Sequence, residues 1–170
     1  MRVATRSIAL AGCIITLSAC GKEITAPTAP LAPRLSTAWG PETPPFNNEI
    51  ILRGDGFGLV KFRQPNDAAL VINLDTWVRG LEPNTDYVLQ RATDRTLDGT
   101  CTGTNWLTLG KGPVSQVIRT DDRGTGRESL WRDVSAFPVG STFDIHFRVV
   151  NLTTSAVVLS SDCYRFTISE

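Results

Sequence analysis

Few side chains in this sequence could do chemistry, and their spacing decides which kind. Asp144, His146 and Arg148 stand two apart, so on a strand they share one face, where an imidazole between a carboxylate and a guanidinium could relay protons. No Ser or Cys in an elbow motif accompanies them, which favours a solvated strand face over a catalytic one. Asp94, Asp98 and Gly99, and separately Asp121 and Asp122, could offer oxygens to calcium. Neither set has the alternating ligand spacing of a calcium loop, and both suit ordinary turns. Gly54, Gly56 and Gly58 are not a nucleotide loop, because no helix follows to present its N-terminus to phosphate. Arg53-Gly54-Asp55 matches a tripeptide that integrins bind, and a Gly-rich hairpin accounts for it as well. No metal site, no cofactor and no catalytic residue is expected.

Trp77, Trp106 and Trp131 carry more interest. Exposed indoles could stack on sugar rings, with Asp75, Asn105 or Asp133 supplying hydrogen bonds; the competing reading places them in the core or at its ends. Trp77 alternates with Asn73 and Asp75, opposite Leu70, Ile72 and Leu74, which makes it the best candidate for exposure.

Composition narrows the partners. The 170 residues carry 17 Lys plus Arg against 17 Asp plus Glu, one His and 41% apolar residues, which excludes nucleic-acid binding through bulk charge and a polytopic membrane protein. A single imidazole leaves little material for a His-rich metal site or a conventional triad hydrolase.

The N-terminus is organised for export. Arg2 and Arg6 precede an uncharged stretch from Ile8 to Ala19, too short for the roughly 20 residues that cross a bilayer as a helix. It ends in Leu17-Ser18-Ala19-Cys20, which resembles the lipobox of bacterial lipoproteins. The resemblance implies a signal peptide over 1–19, a diacylglyceryl group on Cys20, and a membrane partner reached through a firm two-chain or three-chain anchor. Gly21 follows where that family often places Asp for inner-membrane retention, so in a cell with two membranes the outer one is implied. Loss of Arg2 and Arg6 leaves 15 basic against 17 acidic side chains.

Residues 20–45 hold six of the ten prolines and read as a tether, about 30 Å long as a flexible coil and up to about 75 Å as polyproline II. Trp39 is the one residue in it suited to docking back onto the domain. With Cys13 in the signal and Cys20 lipidated, Cys101 and Cys163 remain. In an exported domain a disulfide is the usual outcome, two unpaired buried thiols or a redox pair being the alternatives, and no C-x-x-C spacing supports the last.

From Phe46 to Glu170, short alternating runs are separated by turn-forming stretches such as Gly54-Asp55-Gly56, Pro83-Asn84 and Asp122-Arg123-Gly124. The clearest run puts Phe143, Ile145, Phe147 and Val149 on one face and Asp144, His146 and Arg148 on the other. Within it all, Leu81-Glu82-Pro83-Asn84-Thr85-Asp86-Tyr87 resembles the Leu-x-Pro-x-Thr-x-Tyr corner of fibronectin type III domains, which implies a Tyr87 hydroxyl bonded to upstream backbone. The strand order departs from that family, with fewer strands before the corner and more after it. The fold expected is therefore all-β, an antiparallel Ig-like β-sandwich of about 8–10 strands over residues 46–170. The function expected is that of a non-catalytic binding module of the cell envelope with a glycan or protein partner; the alternatives are a purely structural envelope protein and an unrecognised hydrolase.

Overall fold

Apolar and polar residues alternate between turn residues along the chain, and strands follow, with no helix among the described residues. The computed structural model describes residues 46–65 and 67–169; the expected signal peptide, Cys20 and the 20–45 linker with Trp39 lie outside them. Twelve strands form: β1 (Phe46–Gly54), β2 (Phe57–Gln64), β3 (Val71–Arg79), β4 (Asp86–Asp94), β5 (Leu107–Thr108), β6 (Gly110–Lys111), β7 (Val114–Ser115), β8 (Ile118–Arg119), β9 (Gly126–Asp133), β10 (Thr142–Asn151), β11 (Val157–Ser161) and β12 (Tyr164–Thr167).

Where the sequence predicts two packed sheets, hydrogen bonding runs through all twelve strands as one. Its order is β5-β4-β10-β11-β1-β2-β3-β9-β6-β7, with β12 beside β10 and β8 beside β4. Every pairing is antiparallel except that of β6 with β9, made between Lys111 and Trp131. The segment from Leu107 to Gly112 curls the sheet into a nearly closed barrel. Leu107 and Thr108 pair with Arg91 and Gln90, and the Leu109 N–H donates to the Leu89 carbonyl at 2.8 Å. Three residues later the Gly112 N–H donates to the Trp131 carbonyl at 3.0 Å, so one short segment bonds both β4 and β9.

Alternation then sorts the side chains. β2 buries Val60, Phe62 and Gln64, β3 buries Ile72, Leu74, Thr76 and Val78, and β10 turns Ile145, Phe147 and Val149 inward. Each large apolar side chain taken out of water contributes about 1.5–3 kcal/mol before ordering costs. Phe62 stands at the centre, edge-on to Phe147 at 6.0 Å and to Phe166 at 4.9 Å between ring centroids.

The two barrel ends differ. At one, the β3–β4 connection and the turn after β8 lock together: the Thr120 hydroxyl donates to the Glu82 carbonyl at 2.6 Å and accepts the Thr85 N–H at 3.0 Å. The Tyr87 hydroxyl accepts the Glu82 N–H at 3.1 Å there, with its ring buried beside Leu81 and Ile118. At the other end, Gln64 imitates a missing ladder rung. Its amide nitrogen donates to the Ser169 carbonyl at 2.6 Å and its amide oxygen accepts the Ser169 N–H at 3.2 Å, tying the C-terminal segment to β2.

Cys101 and Cys163 form a disulfide with Cα atoms 5.3 Å apart, joining the long β4–β5 connection to the bend between β11 and β12. Replacing both cysteines by Ser should lower the unfolding free energy by about 4 kcal/mol, the chain-entropy value for a 62-residue separation. Urea midpoints of the two proteins measure it, and an unmoved midpoint would show that the connection is held without the bond.

Candidate functional site

The His146 face is not a solvated one. Residues 95–106 cross the outer side of β4 and β10 as a strap and cover it. Asp144 has only 1% of its side chain exposed, takes Arg165 at 2.9 and 3.3 Å, and accepts the Gly99 N–H at 2.8 Å. His146 Nε2 lies 3.1 Å from the Gly103 carbonyl, and its ring sits 4.6 Å from that of Trp106. The Arg148 guanidinium lies 3.9 Å over the same indole and donates to Gln90 at 2.8 Å. Alternation alone could not reveal this cover, because the strap belongs to a distant stretch of sequence and is pinned by the disulfide and by Asp94, which accepts the Thr102 and Gly103 N–H groups.

The other nominated residues are spread out. Trp77 and Trp131 both point outward from β3 and β9, while Trp106 lies over β10, so the three indoles form no common surface. Trp77 is half-buried, edge-on to Phe57 at 6.1 Å with the Arg79 guanidinium 5.3 Å from its ring. Trp131 is the more exposed, at 39%, and covers Gly112, where φ is +66° and an added Cβ would meet the ring at 2.6 Å. Asp75 is engaged by Arg63 at 2.7 Å. Gly54 of the Arg53-Gly54-Asp55 tripeptide lies so close to the Val158 carbonyl that no side chain fits, and the Asp55 N–H donates to that carbonyl at 2.9 Å. Asp98 and Asp121 spend carboxylate oxygens on N–H groups of their own turns, and no cluster of three or more metal-ligating side chains forms among the described residues.

Concave space lies instead inside the barrel. A cavity of about 360 Å³ enters from the end framed by the strap and by the β9–β10 connection. Phe62, Leu74, Leu109, Ile145, Phe147 and Phe166 line its apolar depth, and Arg91, Thr93, Arg95, Asn105, Arg132 and Phe137 are among the residues toward its rim. Arg91 and Arg132 sit at positions of β4 and β9 whose neighbours two away, Leu89 and Leu130, face the core. Among the described residues no carboxylate lines the cavity, and neither Arg91, Arg95 nor Arg132 makes an ion pair. Arg91 donates to the Thr93 hydroxyl at 3.2 Å, and Arg132 approaches the Gly112 carbonyl at 3.4 Å. Burial, and then the charge of Arg132, lowers the Arg91 pKa from its ordinary value while leaving the group a cation. Sequence reasoning passed over both arginines, although a charged residue at the core-facing parity of a strand was the available sign. No protein-family model matches the chain, and no curated protein aligns with it significantly.

The arrangement suits binding: a pre-formed apolar hollow with cations at its entrance and, among the described residues that line it, no His, Cys, Asp or Glu to move protons. The strap shapes that entrance, so its anchor is testable. Burial alone would raise the Asp144 carboxyl, but the Arg165 bond, the Gly99 N–H and the Arg165 charge bring it below its ordinary value. A depressed carboxyl stabilises the fold fully above the unfolded value of about 3.9 and loses that contribution as pH falls toward the folded one. Asp144→Ala should cost about 2–3 kcal/mol at pH 7. Denaturation at pH 7 and pH 2.5 should show the gap between the two proteins narrowing in acid; a gap that persists unchanged would contradict the ionised pair.

Proposed function

We propose that this chain is a lipid-anchored binding module of a bacterial cell envelope, and that the barrel hollow is where its ligand sits. The observation that carries the reading is the cavity itself, whose volume of about 360 Å³ falls in the 300–1,000 Å³ range typical of small-molecule sites.

The location part of the reading rests on Leu17-Ser18-Ala19-Cys20 at the end of the apolar stretch, with Gly21 favouring the outer membrane where a cell has two. Cys20 carries the lipid in this reading, and residues 20–45 hold the domain off the membrane. β1 starts at Phe46, at the same barrel end as the cavity entrance, so the tether joins the domain on that side. The disulfide between Cys101 and Cys163 suits an oxidising compartment. The Ig-like affinity rests on the Leu81 to Tyr87 corner, where the Tyr87 hydroxyl meets upstream backbone at Glu82. A glycan platform built from Trp77, Asp75, Trp106 and Trp131 is less well supported, because those side chains do not converge, and a small ligand inside the barrel is favoured over it.

Expression of the full chain in a bacterium, followed by intact-mass measurement of the membrane fraction, tests the anchoring. The expected product begins at Cys20 and carries a diacylglyceryl group, and Cys20→Ser should leave the protein unacylated. An unmodified wild-type product, or cleavage elsewhere, would overturn the lipoprotein reading.

A further inference from the structure

Two guanidinium groups turned into an apolar hollow call for an explanation of their own. Arg91 and Arg132 project from β4 and β9, the strands that flank the Leu107–Gly112 segment, and both line the cavity. Their core-facing neighbours are Leu89 and Leu130, where Met or Leu would fill space without desolvating a charge. Each has one neutral oxygen, the Thr93 hydroxyl for Arg91 and the Gly112 carbonyl for Arg132, and their remaining N–H donors face the open mouth of the cavity, none of those nitrogens being buried without a partner. Nearby carboxylates have other partners: Glu128 has Lys111 at 2.9 Å, Asp94 has the strap backbone, and Asp133, which feels the Arg132 charge without pairing with it, accepts the Ser135 N–H at 2.8 Å. Like charges facing one hollow repel, and an anion placed between them relieves the repulsion and supplies acceptors at once. The depth beyond them is lined by Phe62, Ile145, Phe147 and Phe166, which offer apolar and aromatic contact and no polar group.

We infer that the barrel binds a small apolar monoanion, its charged head held by Arg91 and Arg132 and its body among Phe62, Phe147 and Phe166. At about 30 Å³ per non-hydrogen atom the hollow has room for on the order of a dozen atoms, which matches a medium-chain carboxylate. This rests on the cavity being the ligand site, and it adds the chemical class of the ligand.

Calorimetric titration of the full chain in lipid nanodiscs, with empty discs subtracted, tests it using decanoate, decanol, decyltrimethylammonium and acetate at pH 8. Decanoate should bind at least tenfold more tightly than decanol, and neither the cationic amphiphile nor acetate should compete. The double variant Arg91→Met/Arg132→Met should lose decanoate affinity by roughly 30-fold or more while decanol changes less than threefold. Arg91→Lys/Arg132→Lys, which keeps both charges, should retain the preference for decanoate and guards against loss through misfolding. Equal binding of decanol and decanoate, or a double variant that binds decanoate unchanged, would overturn the anion head site and leave the cavity reading standing. Failure of every ten-carbon probe to bind the wild type would overturn both.

Discussion

Barrel closure depends on two short segments that each join β4 to β9: Leu107 to Gly112, which pairs with β4 through its first half and with β9 through its second, and Ile118 to Thr120, which pairs with β4 and bridges to Gly126 of β9. Without them β4 and β9 would be exposed sheet edges, with backbone groups open to other chains. With them, the circuit runs β4, β10, β11, β1, β2, β3, β9 and the Leu107–Gly112 segment, eight members in all. Eight strands enclose an interior that side chains can just fill or that can hold one small ligand. Here both outcomes occur, one at each end. Tyr87, Leu81 and Ile118 fill the end tied by Thr120, whereas the end tied by Gln64 remains hollow behind Arg91 and Arg132.

The open end is held in shape from outside. Residues 95–106 reach it from the end of β4, and the disulfide, Asp144, Asp94 and the Trp106 stack fix them against the outer wall. Arg95 and Asn105, at the two ends of that strap, line the cavity, so the polar cluster around His146 acts on the entrance by positioning it. A buried Asp144 with two partners is therefore a structural group, and the three-residue pattern that suggested proton transfer is better explained by the need to satisfy a covered strand face.

Much of the wall was legible in the sequence because alternation is a local property. The face of Ile72 and Leu74 opposite Trp77, and that of Phe143, Ile145, Phe147 and Val149, read directly as strands with a definite inside. The Leu81 to Tyr87 corner was legible too, since its hydrogen bond joins residues five apart. The closure was not. β5 to β8 are two-residue strands carrying Gly110, Lys111 and Ser115, too short for any period to emerge, and their pairing partners lie elsewhere in the chain. One sheet rather than two, and with it the hollow, follows from that unreadable segment. Arg91 was legible in principle, lying between Leu89 and Thr93 on the inward parity of β4, but only closure turns an inward arginine into the rim of a site.

Arg91 and Arg132 face the same apolar hollow as mutually repelling cations, neither with an ion-pair partner among the described residues. A double-mutant cycle on ligand-free protein measures this most directly, comparing unfolding free energies of wild type, Arg91→Met, Arg132→Met and the double variant at low ionic strength. Each single substitution is expected to raise stability, and the double variant to gain less than the two gains added together, because relieving the repulsion once removes it for both. If either single substitution lowers stability, or the two effects add fully, the guanidinium groups are either well satisfied where they are or independent of each other, and the cavity is not a site poised for an anion.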